Sequence, residues 1–216
     1  MKTFLSIGAG AGMGLATAER FAREGYRVVL AARTASKVQE LAKTLQAKGF
    51  TTEAHTVDAG NPVSVSTLIQ GVVKDHGTID VVHYNAAALH KSTVLEQLIE
   101  TFNTDLAVNI GGALAAIQSV LPSMTKQGSG SILLTGGGFA FCPPPEFLSI
   151  GIGKAGIRAL ANGLFEDLKS KGVHIATVTV AKFVSPDSDD ARAVAGHFWT
   201  LHAQPQSDWT WEIVHS

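Results

Sequence analysis

The chain has 216 residues, 45% hydrophobic and 16% charged, which is enough for one globular domain with a substantial core and too few to expect a second. Its 17 basic and 18 acidic residues leave a net charge of −1, so no broad field draws it to nucleic acid or to an acidic membrane. Cys142 is the only cysteine, which excludes an internal disulfide framework and suits a reducing, cytoplasmic setting. The apolar run after Lys2 breaks at Gly8, too early for a signal segment or a membrane span.

From the N-terminus, Phe4-Leu5-Ser6-Ile7 ends in alternating glycines at Gly8, Gly10, Gly12 and Gly14, and a helical stripe follows through Leu15, Ala18 and Phe21. Strand, tight turn and helix in that order bring main-chain N–H groups at a helix N-terminus within reach of an anion. A second strand, Arg27 to Ala31, follows at the distance a βαβ unit requires. In that context the natural ligand is a pyrophosphate, although a glycine turn also serves packing alone. Ser36-x-x-Gln39 has capping-box form ahead of the stripe Val38, Leu41, Ala42 and Leu45. A third strand, Thr51 to Val57, ends at Asp58, and Asn61-Pro62 caps a helix with Val65, Leu68, Ile69 and Val72 on its apolar face. Ile79 to Tyr84 is the fourth strand.

Thr93-x-x-Glu96 is a second capping box, predicting a helix through Leu95, Leu98, Ile99 and Phe102. Another helical pattern runs from Leu106 toward Met124, interrupted by Gly111-Gly112, where close packing or a ligand should offset the low helix propensity. Ser131 to Thr135 and Val173 to Val180 are strands on either side of a helix carrying Ile157, Leu160, Ala161, Leu164, Phe165 and Leu168. Asp187 to Leu201 has the pattern of a last helix, and Trp209 to Ile213 that of a last strand. The alternation predicts an α/β, Rossmann-like doubly wound parallel sheet with helices on both faces, one domain over residues 1–216. Trp199, Trp209 and Trp211 read as core or subunit contact ahead of an aromatic ligand box.

Ligands of such a sheet lie beyond the carboxyl ends of its strands. After the second strand comes Arg33, with no carboxylate to accept a ribose 2′-OH. Arg33, with Lys37, is suited to a 2′-phosphate, which favours NADP over NAD; the alternative is an ordinary solvated arginine. The eight histidines have no metal-ligand spacing, and Gly128-Ser129-Gly130 lacks that of a hydrolase nucleophile. Phe139, Phe141, Cys142, Phe147 and Phe183 suggest an apolar pocket or core beneath long loops.

Gly8-xxx-Gly12-x-Gly14, Asn85-Ala86 after the fourth strand, Asn109 within Ala107-Val108-Asn109-Ile110-Gly111, and Lys154 together resemble the short-chain dehydrogenase/reductase family, over Lys2 to about Val184. Ile7, Tyr84 and Ala87 depart from its usual threonine, asparagine and glycine. The resemblance implies a cofactor site made by Gly8, Gly12, Met13, Gly14, Arg33, Asp58, Asn85, Ala86 and Lys154. Asp58 would reach the adenine amino group, unless it is only a turn residue. Asn109 would hold a water of a proton relay, and Lys154 would grip the nicotinamide ribose; these two are the catalytic candidates. A homodimer or homotetramer is implied through the helix of Asn109 and the one after Lys154.

Ile150, and Gly136 or Gly137, stand where the family has its tyrosine and serine, and neither residue type supplies the proton that carbonyl reduction needs. Ser149 is turned by about 100 degrees from the tyrosine position on a helix. Glu146, Tyr84, His83, His90 and Lys154 are candidate substitutes. The expectation is an NADP-binding oxidoreductase of non-standard active site acting on a small carbonyl or alcohol. The alternative is a nucleotide-binding or regulatory protein without turnover.

Overall fold

The computed structural model describes residues 1–216. A seven-stranded sheet in the order β3-β2-β1-β4-β5-β6-β7 is parallel at every pairing. Its strands are β1 (Thr3–Ile7), β2 (Arg27–Ala32), β3 (Thr52–Thr56), β4 (Val81–Tyr84), β5 (Ser131–Thr135), β6 (His174–Val180) and β7 (Glu212–His215). The helices are α1 (Met13–Arg23), α2 (Ala35–Ala47), α3 (Pro62–His76), α4 (Ile99–Leu106), α5 (Gly112–Gln127), α6 (Leu148–Ser170) and α7 (Asp189–Ala203). A parallel sheet needs cover on both faces, and alternate residues of each strand feed two separate cores. Leu5, Ile7 and Val29 join α3, α5 and α6 in one. Phe4, Val28 and Leu30 join α1, α2 and α7 in the other. The strand order reverses between β1 and β4, which opens a crevice at their carboxyl ends.

Local chemistry explains where several elements begin. Asn61 caps α3 by accepting from the N–H of Val63 and of Ser64, with Pro62 in the first turn, as the sequence predicts. Ser188 caps α7 through the N–H of Ala191, and Val194, Phe198 and Leu201 bury the helix against the sheet.

Four expectations are corrected. The Ser36 box does not open α2, which starts at Ala35 after Thr34 without a side-chain cap. The Thr93-x-x-Glu96 box closes a local turn, with the Thr93 hydroxyl 2.8 Å from Glu96, because its apolar residues Val94 and Leu95 are exposed and give a helix nothing to pack on. Helix α4 begins only at Ile99 and continues through a π-helical turn, Ala107–Gly111, directly into α5. The last strand starts at Glu212, so Trp209 and Trp211 precede it; Trp209 stacks on His174 and Trp211 lies under Arg158, both structural contacts.

By length and composition Ile99–Gln127 would cross a membrane, but here its apolar residues Ala113, Ile117, Val120 and Met124 are buried in the core beside α3 and α6. Gly112 lets it sit close: a Cβ there would lie 2.1 Å from the Ala59 carbonyl oxygen and 2.3 Å from the Tyr84 hydroxyl. Gly112→Ala should therefore cost about 2–3 kcal/mol in urea unfolding. Gly163→Ala, on an exposed part of α6 with nothing near the added methyl, should stabilise by about 0.5–1 kcal/mol. Equal effects of the two substitutions would contradict this account of Gly112.

Candidate functional site

The glycine turn lies where β1 meets α1, and its glycines divide into two kinds. Gly8 has φ +84, and a Cβ on it would fall 2.3 Å from the Ala86 nitrogen, so the turn is pressed against the end of β4. A Cβ on Gly14 would be 3.2 Å from both Ala9 Cα and Asn85 Nδ2. Gly10 and Gly12 instead face open space. Helix α1 carries no side-chain cap and no acidic residue in its first turn, and the N–H groups from Gly10 through Gly14 donate to no acceptor in the chain. Unpaired donors at a positive helix end, beside open space, suit an anion in geometry and in charge.

Around that turn the carboxyl edge brings together the other expected residues. Arg33 is exposed after β2 and, like Lys37, has no partner within the chain. Asp58 accepts from the Gly60 N–H at 3.0 Å through one carboxylate oxygen, leaving the other free. Asn85 donates from Nδ2 to the Gly8 carbonyl at 2.8 Å and accepts from the Thr135 hydroxyl at 2.9 Å. Asn109 sits in the π-helical turn and exchanges two bonds with Ala88, accepting from its N–H at 2.7 Å and donating to its carbonyl at 3.0 Å. Lys154 Nζ donates to the Thr135 carbonyl at 2.7 Å and has no carboxylate partner. That uses one of its three donors. Burial pulls the Lys154 pKa down to about 8.

The two glycines after β5 are not equivalent. A Cβ on Gly136 would be 2.7 Å from Thr177 Oγ1 and buried against β6. One on Gly137 would point at Lys154, 3.1 Å from its Cγ and 3.3 Å from its Cδ. The lysine stem therefore lies against the open side of Gly137. Ile150 is buried at 5% exposure one helical turn before Lys154.

The remaining candidate proton carriers are engaged elsewhere. His83 is fully buried, 3.2 Å from the Ser6 hydroxyl and 3.1 Å from the Thr135 hydroxyl, and burial followed by the Lys154 charge pulls its pKa down to about 3. Tyr84 donates to the Val108 carbonyl, and burial pushes its pKa up. Glu146 faces Lys91 at 3.4 Å. Asp105, fully buried, holds His90 at 2.6 Å with one oxygen and the Ser149 hydroxyl at 2.7 Å with the other. Sequence reading missed Thr135, which serves Asn85 with its hydroxyl and Lys154 with its carbonyl, and Asp105, which its polar helix does not set apart.

Of the phenylalanines near these loops, Phe139 stacks on Phe147, Phe141 lies over Arg158, and Phe183 is 92% exposed. A cavity of about 680 Å³ lies between α1 and α7 and touches the turn only at Ala11 and Gly12. Its Arg20, Arg23 and Arg192 are paired with carboxylates of the chain, so it is a groove beside the crevice and not the site.

A family model described as short chain dehydrogenase matches residues 2–193. The chain belongs to the short-chain dehydrogenase family. An uncharacterized oxidoreductase of Staphylococcus saprophyticus is 30% identical over 190 residues, covering 88% of this chain and 81% of that one. A short-chain dehydrogenase from Rhodopseudomonas palustris superposes with a TM-score of 0.90 at 27% identity, covering 100% of this chain and 98% of that one. A metagenomic short-chain oxidoreductase in complex with NADP has the same fold, with a TM-score of 0.92 at 21% identity and coverage of 99% and 96%.

In this short-chain dehydrogenase the Lys154 ammonium weighs on stability. Its pKa is near 8 when folded and about 10.4 when unfolded, so between those values the unfolded chain binds more protons and stability rises with pH. Below pH 8 both states are protonated and the full burial penalty is felt. Lys154→Met should remove this dependence: its stability advantage over the parent, read from thermal melts without nucleotide, should shrink as pH rises from 8 to 10.5. A constant difference across that range would show that the ammonium is not desolvated.

Proposed function

We propose that this short-chain dehydrogenase binds NADP along the crevice between β1 and β4 and uses it to reduce or oxidise a small carbonyl or alcohol substrate. The observation that carries the reading is the row of unpaired N–H groups from Gly10 through Gly14 facing the open side of Gly10 and Gly12. The residues present fit the cofactor. The turn of Gly8, Gly12, Met13 and Gly14 would hold the pyrophosphate, and the free guanidinium of Arg33 the 2′-phosphate. The open oxygen of Asp58 would take the adenine amino group, Asn85 and Ala86 would floor the crevice, and Lys154 would meet the nicotinamide ribose. The NADP bound by the metagenomic structural neighbour supports that choice of nucleotide. Bound NADP supplies or accepts a hydride; everything else in the reaction falls to the chain.

The proton is the unusual part. With Gly137 and Ile150 in place of a serine and a tyrosine, the site lacks the family's usual acid. His83, Tyr84, His90 and Glu146 are occupied by other partners, which supports Lys154 as the remaining carrier. Its ammonium keeps two N–H groups free, and a pKa near 8 lets Nζ give a proton to a substrate oxygen and recover one from water. Asn109, locked to Ala88, would act only as a positioning group for that exchange.

Fluorescence titration should give tighter binding of NADPH than of NADH. Arg33→Ala should weaken NADPH at least tenfold and leave NADH nearly unchanged. A carbonyl panel with NADPH should reveal turnover that Lys154→Ala abolishes and that falls as pH rises through about 8. Tight NADPH binding without turnover on any substrate would favour the second reading, a nucleotide-binding regulatory protein, for which Gly137 and Ile150 together already argue. No response to either nucleotide would refute both.

The family's assembly also has a counterpart in surface chemistry. Leu98, Ile99, Leu148 and Ile152 are exposed along the α4 and α6 face. Sedimentation should give a homodimer or homotetramer, and Ile152→Glu should lower the assembly order; a monomeric parent would contradict this.

A further inference from the structure

Within the sheet, Ser6 of β1, His83 of β4 and Thr135 of β5 are all buried and joined by hydrogen bonds across three neighbouring strands. Apolar residues in their place would leave no polar group to satisfy, so the column adds little to stability that valine would not. Its hydrogens can be assigned in only one way. Asn85 gives Nδ2 to the Gly8 carbonyl, so its Oδ1 is the acceptor for the Thr135 hydroxyl. The Thr135 oxygen must then accept from His83 Nε2–H, and His83 Nδ1 accepts from the Ser6 hydroxyl. A one-way chain therefore runs from Ser6 through His83 and Thr135 to Asn85 and ends on the first residue of the glycine turn.

We infer that His83 is a positioning residue of the cofactor site: through the Thr135 hydroxyl it fixes the Asn85 amide, and through Asn85 the Gly8 carbonyl. The inference rests on the crevice being a nucleotide site. Thr135 is the pivot because its hydroxyl serves Asn85 while its carbonyl holds Lys154, so one side chain sets groups on both sides of the crevice. Protonation of the imidazole would replace the Ser6 bond with donor against donor unless the serine turned. Burial and the nearby Lys154 charge both hold His83 neutral, in keeping with a fixed tautomer.

The test compares three variants by thermal melt, by NADPH fluorescence titration, and by the Asn85 side-chain amide protons in nitrogen-15 spectra of the nucleotide-free protein. Ser6→Ala/His83→Val restores an apolar core, so it should melt no lower than the parent. It should still bind NADPH about tenfold more weakly and lose the protection of the Asn85 amide protons. His83→Gln can return a donor to Thr135 and should recover both readouts; His83→Asn is too short and should not. Unchanged Asn85 protons in the double variant, or equal losses in the glutamine and asparagine variants, would overturn the inference. If the parent binds no NADPH, the nucleotide reading fails by itself, and the Asn85 protons still decide whether His83 positions the amide.

Discussion

The contact on which the site depends is the approach of the Gly8 main chain to Ala86, close enough that a methyl group would collide with the Ala86 nitrogen. It ties the end of β1 to the end of β4 at the one place where the strand order reverses. The Gly8 and Ala9 N–H groups, both donating to the Ala31 carbonyl, hold the turn on the sheet, so the start of α1 is aimed along the crevice. Asn85 adds a hydrogen bond to the same joint. A left-handed glycine, a strand end and an amide thus fix the direction of a helix dipole, whose positive end faces the crevice.

The helices differ in how their first N–H groups are satisfied. Helices α3 and α7 start with Asn61 and Ser188, whose side chains satisfy free N–H groups. Helix α1 starts with Gly12 and satisfies none. A serine, threonine, asparagine or aspartate at that position would typically stabilise the helix by about 1 kcal/mol and would occupy the donors. The same bargain appears at Lys154, a desolvated cation held by a single carbonyl. Both costs fall on one crevice, while the cores on the two faces of the sheet carry the stability.

Most of the fold was legible because strands buried on both faces read as short apolar runs and the helices between them carry clear stripes. The glycine turn, the Asn61-Pro62 cap and the lysine of α6 were legible for the same local reason. What misled was local chemistry without tertiary support: the Thr93 box has a good cap and nothing to bury, and Trp209 to Ile213 alternates although only its end joins the sheet. The polar column was not legible at all. Ser6 and His83 are 77 positions apart, His83 and Thr135 are 52, and a lone serine or threonine in a strand gives no sign of its partners. Only the strand order brings them together.

Gly137 and Ile150 both border Lys154. With no side chain at 137, the stem of Lys154 lies against that open side, and its ammonium reaches the Thr135 carbonyl. Ile150, one turn away on the same helix, adds apolar bulk. Removing polar neighbours from an ammonium raises the cost of its charge, and that is the direction which carries a lysine pKa from its ordinary range toward neutrality. Burial brings Lys154 to a pKa of about 8, at which an amine can exchange a proton near neutral pH.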